Sequence, residues 1–290
     1  RKAPIDVEST RVSKLVPREV TRLVTPGTLL EEELLDPKSN NFLLSVSTSQ
    51  DQQQFGLAWL DLSTGDFGCD RADSQVEVRD AFARLNPAEV LINPRSRISH
   101  LFPSLTCQSL CISTFAEGDQ DGSNAEVHNL ETLLCLVTEH DLDSLAAQTG
   151  NLSDLEKTSC ELLLRYVAWT QCGRKLRLSP PRRFQATATM SIDASTRHAL
   201  ELTRTIRDGG RRGSLLWAID GTVTCLGGRL LESYLRAPSF EVVEITRRLD
   251  LVDWFFRDMD AIRVSNQILR QVQDMDRALS RIGLLRGNPS

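Results

Sequence analysis

Several patterns that would assign a function at once are missing from this sequence. Its 290 residues contain no apolar run near the roughly 18 residues that a membrane-spanning helix needs. The seven cysteines and four histidines form neither a C-x-x-C pair nor a zinc-finger spacing, which excludes the common structural zinc sites. An odd set of scattered cysteines is typical of free thiols in a reducing compartment. No Gly-Lys dipeptide occurs, so the phosphate-binding loop of many ATPases is excluded.

The composition that is present is that of a globular protein with two dissimilar halves. Hydrophobic residues make up 40% and charged residues 25%, which excludes disorder and collagen-like repeats as descriptions of the whole chain. Residues 1–150 carry 12 Lys and Arg against 23 Asp and Glu, whereas residues 151–290 carry 22 against 16. This asymmetry predicts two modules with different neighbours. The chain starts at Arg1 and ends at Ser290, and we expect it to be an internal piece of a longer protein.

The first part of the chain has the pattern of an α/β module. Residues 1–20 are polar and aperiodic, so we interpret them as a linker, and residues 21–122 alternate short apolar runs with turn residues. The order of strands and helix predicts a mixed sheet. The predicted elements are strands at 41–48, 55–62, 65–69, 89–93 and 106–112, and one helix at 75–85.

After residue 122 the apolar spacing becomes helical. Ser123 with Glu126 and Ser153 with Glu156 match capping boxes, in which side chains satisfy the free amides of a helix start. Apolar residues then recur every three to four positions over residues 222–235, 242–256 and 264–282. We predict long packed helices over residues 123–290, separated from the α/β module by a loop near 113–124.

Acidic residues at the start of the predicted sheet allow an enzymatic reading. Asp61 lies in the second strand, Asp66 opens the third, and Glu89 opens a later one. RNase H-like nucleases use clustered carboxylates of this kind to hold two Mg²⁺ ions for attack on a phosphodiester. The alternative is that Asp61 only caps the following turn, which is the usual role of an Asp in that position.

Two basic clusters in the second half allow a nucleic-acid-binding reading. Such clusters can neutralise phosphates, although a solvated helix face or an interdomain contact explains them equally well. The Gly-rich run at 209–213 lacks a Lys and reads as a flexible turn, and Gly227-Gly228 predicts a close helix–helix approach. The candidate DNA-contacting residues are Arg174, Lys175, Arg177, Arg182 and Arg183.

An ordered series of motifs resembles the MutS family of DNA mismatch repair proteins over about residues 20–286. Thr25-Pro26-Gly27-Thr28 and the segment 60–67 (LDLSTGDF) resemble the connector domain of that family. Segments 190–196 (MSIDAST), 213–216 (GSLL), 222–231 (TVTCLGGRLL) and 274–277 (DMDR) resemble the opening of its core, or lever, domain. The signature residues to which we assign structural roles are Pro26, Gly27, Asp61, Ser63, Gly65, Asp193, Thr196, Ser214, Leu215, Gly227, Arg229 and Leu230.

The resemblance implies a fold and a role. It implies an RNase H-like connector without nuclease activity, followed by the first part of a helical lever domain that links a DNA clamp to an ATPase. It also implies a connector surface for a MutL-type partner, a homo- or heterodimer around mismatched duplex DNA, and no membrane. ATP and Mg²⁺ would belong to an ATPase region outside these residues, so no catalytic, metal or cofactor residue is expected here.

The mismatch-reading domain and the ATPase of the family are not found in these 290 residues. The segments Thr25–Thr28 and 40–45 (NNFLLS) are more similar to bacterial and fungal mitochondrial members than to nuclear ones. They predict a mitochondrial location, with the bacterial cytoplasm and the nucleus as alternatives.

Overall fold

A six-stranded mixed sheet forms the centre of the first part of the chain. The computed structural model describes residues 20, 22–96, 111–115, 129–138, 142–185 and 188–283. Strands β1, β2 and β3 pair antiparallel, while β4 and β5 on one side and β6 on the other add in parallel, in the order β5-β4-β1-β2-β3-β6. The predicted mixed sheet is thus confirmed. The strands are β1 (Leu43–Thr48), β2 (Phe55–Asp61), β3 (Asp66–Ala72), β4 (Glu89–Ile92), β5 (Cys111–Thr114) and β6 (Arg182–Arg183).

Ten α-helices lie in the described part of the chain. The two-residue strand β6 was not predicted, and the predicted strand at 106–112 falls mostly outside the described residues. The capping box at Ser123 and the linker at 1–20 also lie outside them, apart from Val20. The helices are α1 (Gln75–Leu85), α2 (Leu130–Val137), α3 (Leu142–Thr149), α4 (Asp154–Thr170), α5 (Ala194–Ala199), α6 (Leu215–Ile219), α7 (Cys225–Arg236), α8 (Val242–Arg257), α9 (Met259–Leu269) and α10 (Met275–Gly283).

Helix α1 covers one face of the sheet. Ser74 caps its start by accepting from the Glu77 amide, and Asn86 ends it in the left-handed conformation with φ of 47°. Val78, Phe82 and Leu85 pack with strand residues in an apolar core that includes Phe55, Leu57 and Trp59. The predicted bounds of this helix are confirmed, because the apolar spacing and both end signals agree.

Helix α4 covers the opposite face and corrects the predicted domain boundary. The capping box of Ser153 and Glu156 is present, and the helix buries Leu163, Leu164 and Val167 against the sheet. A short hydrogen bond also joins β1 to α4, in which Ser45 Oγ donates to the Ser159 carbonyl at 2.6 Å. Helices α2 to α4 therefore share a core with the sheet, and the boundary placed near residue 122 falls inside one folded unit.

The second part of the chain is helical, with less mutual burial. Helices α8 and α9 contain no buried residue, and Val243 and Phe256 are 82% and 77% exposed. The single helix expected over 264–282 is wrong: α9 ends at Leu269, and Asp274 caps a new helix, α10, by accepting from the Arg277 amide. Among the described residues, no helix is both long and apolar enough to cross a bilayer.

Candidate functional site

The two parts of the chain meet through arginine side chains rather than through an apolar core. We call residues 22–185 the sheet unit and residues 188–283 the helical unit. Arg229 of α7 is 6% exposed and donates to both carboxylate oxygens of Asp274, at 2.6 and 2.7 Å. Its Nη1 also donates to the Pro37 carbonyl of the sheet unit at 3.1 Å. Such a two-pronged pair fixes direction as well as distance, so it orients α7 and α10 together against the sheet unit.

Arg277 extends this contact to the end of strand β2. Its Nε donates to Ser63 Oγ at 3.1 Å and its Nη2 to the Ser39 carbonyl at 2.9 Å. Ser63 in turn donates its amide and hydroxyl to Asp61, at 2.9 and 2.6 Å. Burial lowers the pKa of Arg277, and the nearby Asp61 carboxylate acts in the opposite direction. Asp61 thus stabilises both the turn after β2 and a cation from the other unit.

Lys38 forms a second connection between the units. Its Nζ lies 3.1 Å from Asp220 Oδ2 and donates to the Thr222 carbonyl at 2.8 Å. Arg211 Nη2 donates to the same Asp220 oxygen at 2.9 Å. A Cβ on Gly228 would lie 2.6 Å from Lys38 Cγ. The close approach predicted at Gly227-Gly228 therefore occurs at Gly228, but a lysine of the sheet unit, not another helix, makes it.

The Lys38–Asp220 connection makes stability depend on acid pH. Burial alone would raise the pKa of Asp220, but hydrogen bonds from Thr222 and Lys38 lower it to about 2. Because the unfolded value is about 3.9, this carboxylate stabilises the fold above about pH 4, and that contribution is lost as pH falls towards 2. We expect Asp220→Asn to lower the free energy of unfolding at pH 6 but not at pH 2, as measured by urea unfolding. The exposed Asp260→Asn is the control; a pH-independent difference would contradict the assignment.

A buried glutamate holds the Thr-Pro-Gly-Thr motif. Glu89 is fully buried, accepts from the Gly27 amide at 2.8 Å, and accepts from the Tyr166 hydroxyl at 2.7 Å. Burial raises the pKa of Tyr166 to about 12, and Glu89 adds to this shift, so the phenol stays protonated as a donor. A Cβ on Gly27 would lie 2.9 Å from Glu89 Cβ. Gly27 therefore lies directly against this side chain, while the Pro26 carbonyl accepts from Asn41 Nδ2 at 2.8 Å.

The contacts of Asp61 and Glu89 favour a structural role for these carboxylates over a role in a nuclease. The Asn41 amide and Ser63 occupy the oxygens of Asp61, and Gly27, Ser113 and Tyr166 surround those of Glu89. Within the described ranges, no three His, Cys, Asp or Glu residues are grouped so as to hold a metal ion. Burial, with the nearby Asp61 charge, raises the pKa of Asp66.

Several other signature residues, together with Thr224, build turns and helix starts. Asp193, Ser214 and Thr224 cap α5, α6 and α7, accepting from the amides of Thr196, Trp217 and Gly227. Gly65 has φ of +77°, and a Cβ there would lie 2.4 Å from the Arg177 carbonyl. Leu215 and Leu230 are 43% and 51% exposed, so their assigned structural role has no packing basis in the described residues.

The predicted basic patch divides into two places. Arg174, Lys175 and Arg177 are exposed on the segment after α4. Arg182 and Arg183 instead form β6 at the sheet edge, where Arg183 Nε donates to Glu156 at 2.8 Å. Contact of these five residues with DNA stays a prediction.

Comparison with known proteins decides the family. The family profile "MutS domain II" matches residues 41–180, and "MutS domain III" matches residues 195–290. The chain belongs to the MutS family of DNA mismatch repair proteins. The two matches are separated between residues 180 and 195, beyond α4, whereas the boundary predicted near residue 122 lies inside the first match.

Curated MutS relatives match almost all of the chain. It is 41% identical over 95% of its length to the DNA mismatch repair protein MutS of Bradyrhizobium sp. (strain ORS 278), and 37% identical over 99% to that of Roseobacter denitrificans. It spans 29% and 31% of those two proteins. Among solved structures, a fowlpox virus resolvase in complex with Holliday junction DNA is similar to part of the chain. The match covers 43% of this chain and 98% of the resolvase chain, with a TM-score of 0.30 and 14% sequence identity. At that level the similarity carries no argument about function.

Sequence reasoning missed the connecting residues Lys38, Ser39, Asp220 and Arg236. Arg236 donates to the Arg84 carbonyl at 3.1 Å and to that of Leu85, at the negative end of α1. The one available signal was that Arg229, Asp274 and Arg277 all lie in family-like motifs.

Proposed function

We propose that this MutS segment is a mechanical coupling element between a mismatch-reading region and an ATPase of a longer parent. The observation that carries the proposal is the buried arginine contact, in which Arg229 and Arg277 join both units through fixed hydrogen bonds. A contact built from directional polar bonds has discrete arrangements, and such elements can pass a change of state between distant sites.

Several parts of this proposal concern the parent protein. The chain lacks a Gly-x-x-x-x-Gly-Lys motif, and its residues do not fit the phosphate-binding loop of an ATPase. We therefore propose that ATP and Mg²⁺ act elsewhere in the parent and that this segment performs no catalysis. A MutL-type partner on the sheet unit, dimerisation around mismatched duplex DNA, and a mitochondrial location are further proposals, which rest on family membership.

The test uses the full-length parent that contains this segment. We expect Arg277→Met to leave basal ATP hydrolysis intact but to reduce mismatch-stimulated nucleotide exchange by about tenfold, a factor that corresponds to about 1.4 kcal/mol of coupling. Lys38→Gln, at a 30% exposed side chain, is a milder variant in case the first does not fold. Arg263→Met, on the exposed face of α9, is the matched control. Mismatch stimulation at the parental level in both test variants would overturn the proposal.

A further inference from the structure

A cleft of about 560 Å³ lies between the sheet unit and the helical unit. Its volume is within the roughly 300–1,000 Å³ of small-molecule sites. Strand β3, strand β6 and the end of α1 form one wall, and α7 with the start of α8 forms the other. Although the whole chain has a net charge of −5, six arginines and four carboxylates line the cleft. The arginines are Arg84, Arg182, Arg183, Arg229, Arg236 and Arg248.

The innermost arginines are held in place by neighbours. The side chains of Arg84 and Arg236 are 11% exposed. The Arg84 guanidinium lies 3.5 Å from the centre of the Phe184 ring and 5.2 Å from that of Trp59. The more exposed Arg248 is stacked as well, 3.6 Å from the centre of the Tyr234 ring. Side chains stacked in this way lose little additional freedom when they bind an anion.

The inner arginines of the cleft have carboxylate partners: Arg84 pairs with Asp70 and Arg236 with Glu232. Arg84 Nη2 lies 3.2 Å from Asp70 Oδ2, but burial outweighs this attraction for both partners. Burial raises the pKa of Asp70 to about 6. Burial also lowers the pKa of Arg84 to about 10, with further lowering by the cations Arg197 and Arg236. A second anion beside Arg84 would relieve this crowding of like charges.

The opening of the cleft also presents cationic groups. Arg182 is exposed and its charge acts on Asp66, while Arg248 is 31% exposed beside Glu244. These two residues come from different units, on opposite walls. An anion that reaches from the opening to Arg84 would therefore contact both units and hold them together.

We propose that this cleft binds a small phosphate-bearing molecule, whose oxygens are held by arginines of both units. Guanidinium groups match phosphate oxygens in two-pronged geometry, and several arginines suit more than one phosphate. A DNA duplex is a poorer occupant, since its backbone cannot reach side chains that are only 11% exposed. Arg229 lines this cleft and also belongs to the coupling contact, so the site adjoins the proposed coupling element without resting on that role.

The test is calorimetric titration of the 290-residue chain with pyrophosphate at constant ionic strength. We expect saturable binding, and about tenfold weaker binding in each of Arg182→Gln and Arg248→Gln, because each removes one charge-assisted contact. The exposed Lys175 lies outside the cleft, so the Lys175→Gln variant should bind pyrophosphate with the affinity of the unsubstituted 290-residue chain. Far-UV circular dichroism establishes whether each variant is folded. If one of the two cleft variants does not fold, the other is sufficient for the test.

Two further titrations define the occupant. In the first, the chain is titrated with ATP. Tighter binding of ATP than of pyrophosphate, weakened to the same extent by Arg182→Gln or Arg248→Gln, would support the site and assign it to nucleotides. Equal affinities would support the site and assign it to inorganic polyphosphates. Absence of binding at millimolar pyrophosphate, binding unchanged in both variants, or displacement by an equimolar short duplex would overturn the proposal.

Discussion

Replacement of Gly56 by alanine is expected to destabilise the chain by about 3 kcal/mol or more. A Cβ at this position would lie 2.1 Å from the Leu155 carbonyl oxygen and 2.6 Å from Ser47 Oγ. The first of these atoms is backbone at the start of α4, so the whole helix must shift to make room. Its buried residues Leu163 and Val167 would then lose contact with the sheet.

Urea unfolding followed by circular dichroism measures this effect. Gly221→Ala is a matched control, because no atom lies within 4 Å of a Cβ at Gly221 and its φ is not positive. We expect the free energy of unfolding of the control to stay within about 0.5 kcal/mol of that of the unsubstituted chain. Equal stabilities of the Gly56→Ala and Gly221→Ala variants would contradict the direct packing of α4 on β2.

Replacement of Arg229 by methionine is expected to cost about 3–5 kcal/mol. The substitution keeps much of the side-chain volume but leaves Asp274, which is 9% exposed, without its two hydrogen bonds. Burial would then raise the pKa of Asp274, since hydrogen bonds from Arg229 are what lower it in the intact chain. The Pro37 carbonyl loses its donor as well.

A double-mutant cycle distinguishes the interaction between Arg229 and Asp274 from a nonspecific loss of stability. Arg229→Met, Asp274→Leu and the double variant are compared by urea unfolding. Removing both partners should cost clearly less than the sum of the single changes, because no uncompensated charge is left buried. Arg263→Met, whose partner Asp260 is 85% exposed, should change stability by less than about 1 kcal/mol. Additive single effects would contradict a direct Arg229–Asp274 interaction.

Local signals were sufficient to predict the first strands and helix α1. The run from Phe55 to Asp61 and the turn ending at Gly65 specify a hairpin, and Ser74 and Asn86 mark the ends of α1. These elements depend on residues close in sequence, where apolar period and turn chemistry act directly.

The position of α4 could not be predicted in the same way. Its capping box was evident, but its apolar residues cover most of its circumference, including Leu162, Leu163, Leu164 and Tyr166. Such a pattern shows that a helix is buried and does not identify what covers it. The helix was therefore grouped with the later helices, whereas in the fold it packs on the sheet.

The connecting site was even less accessible to sequence reasoning. Lys38 and Asp220 are 182 positions apart, and Arg277 and Ser63 are 214 apart. No local pattern pairs charges at such separations, and each residue alone reads as ordinary surface. Only family-like motifs drew attention to Arg229 and Arg277, without indicating their partners.

The most direct test of the arginine contact is a distance measurement between the two units. Spin labels are attached through non-cysteine chemistry at Val76 and Val243, which are 61% and 82% exposed. Pulsed electron paramagnetic resonance then compares the intact chain with the Arg229→Met, Arg277→Met double variant. A single narrow distance in the intact chain, and a broad distribution in the double variant, is the predicted result. An equally narrow distribution in both would contradict the claim that these arginines fix the sheet unit against the helical unit.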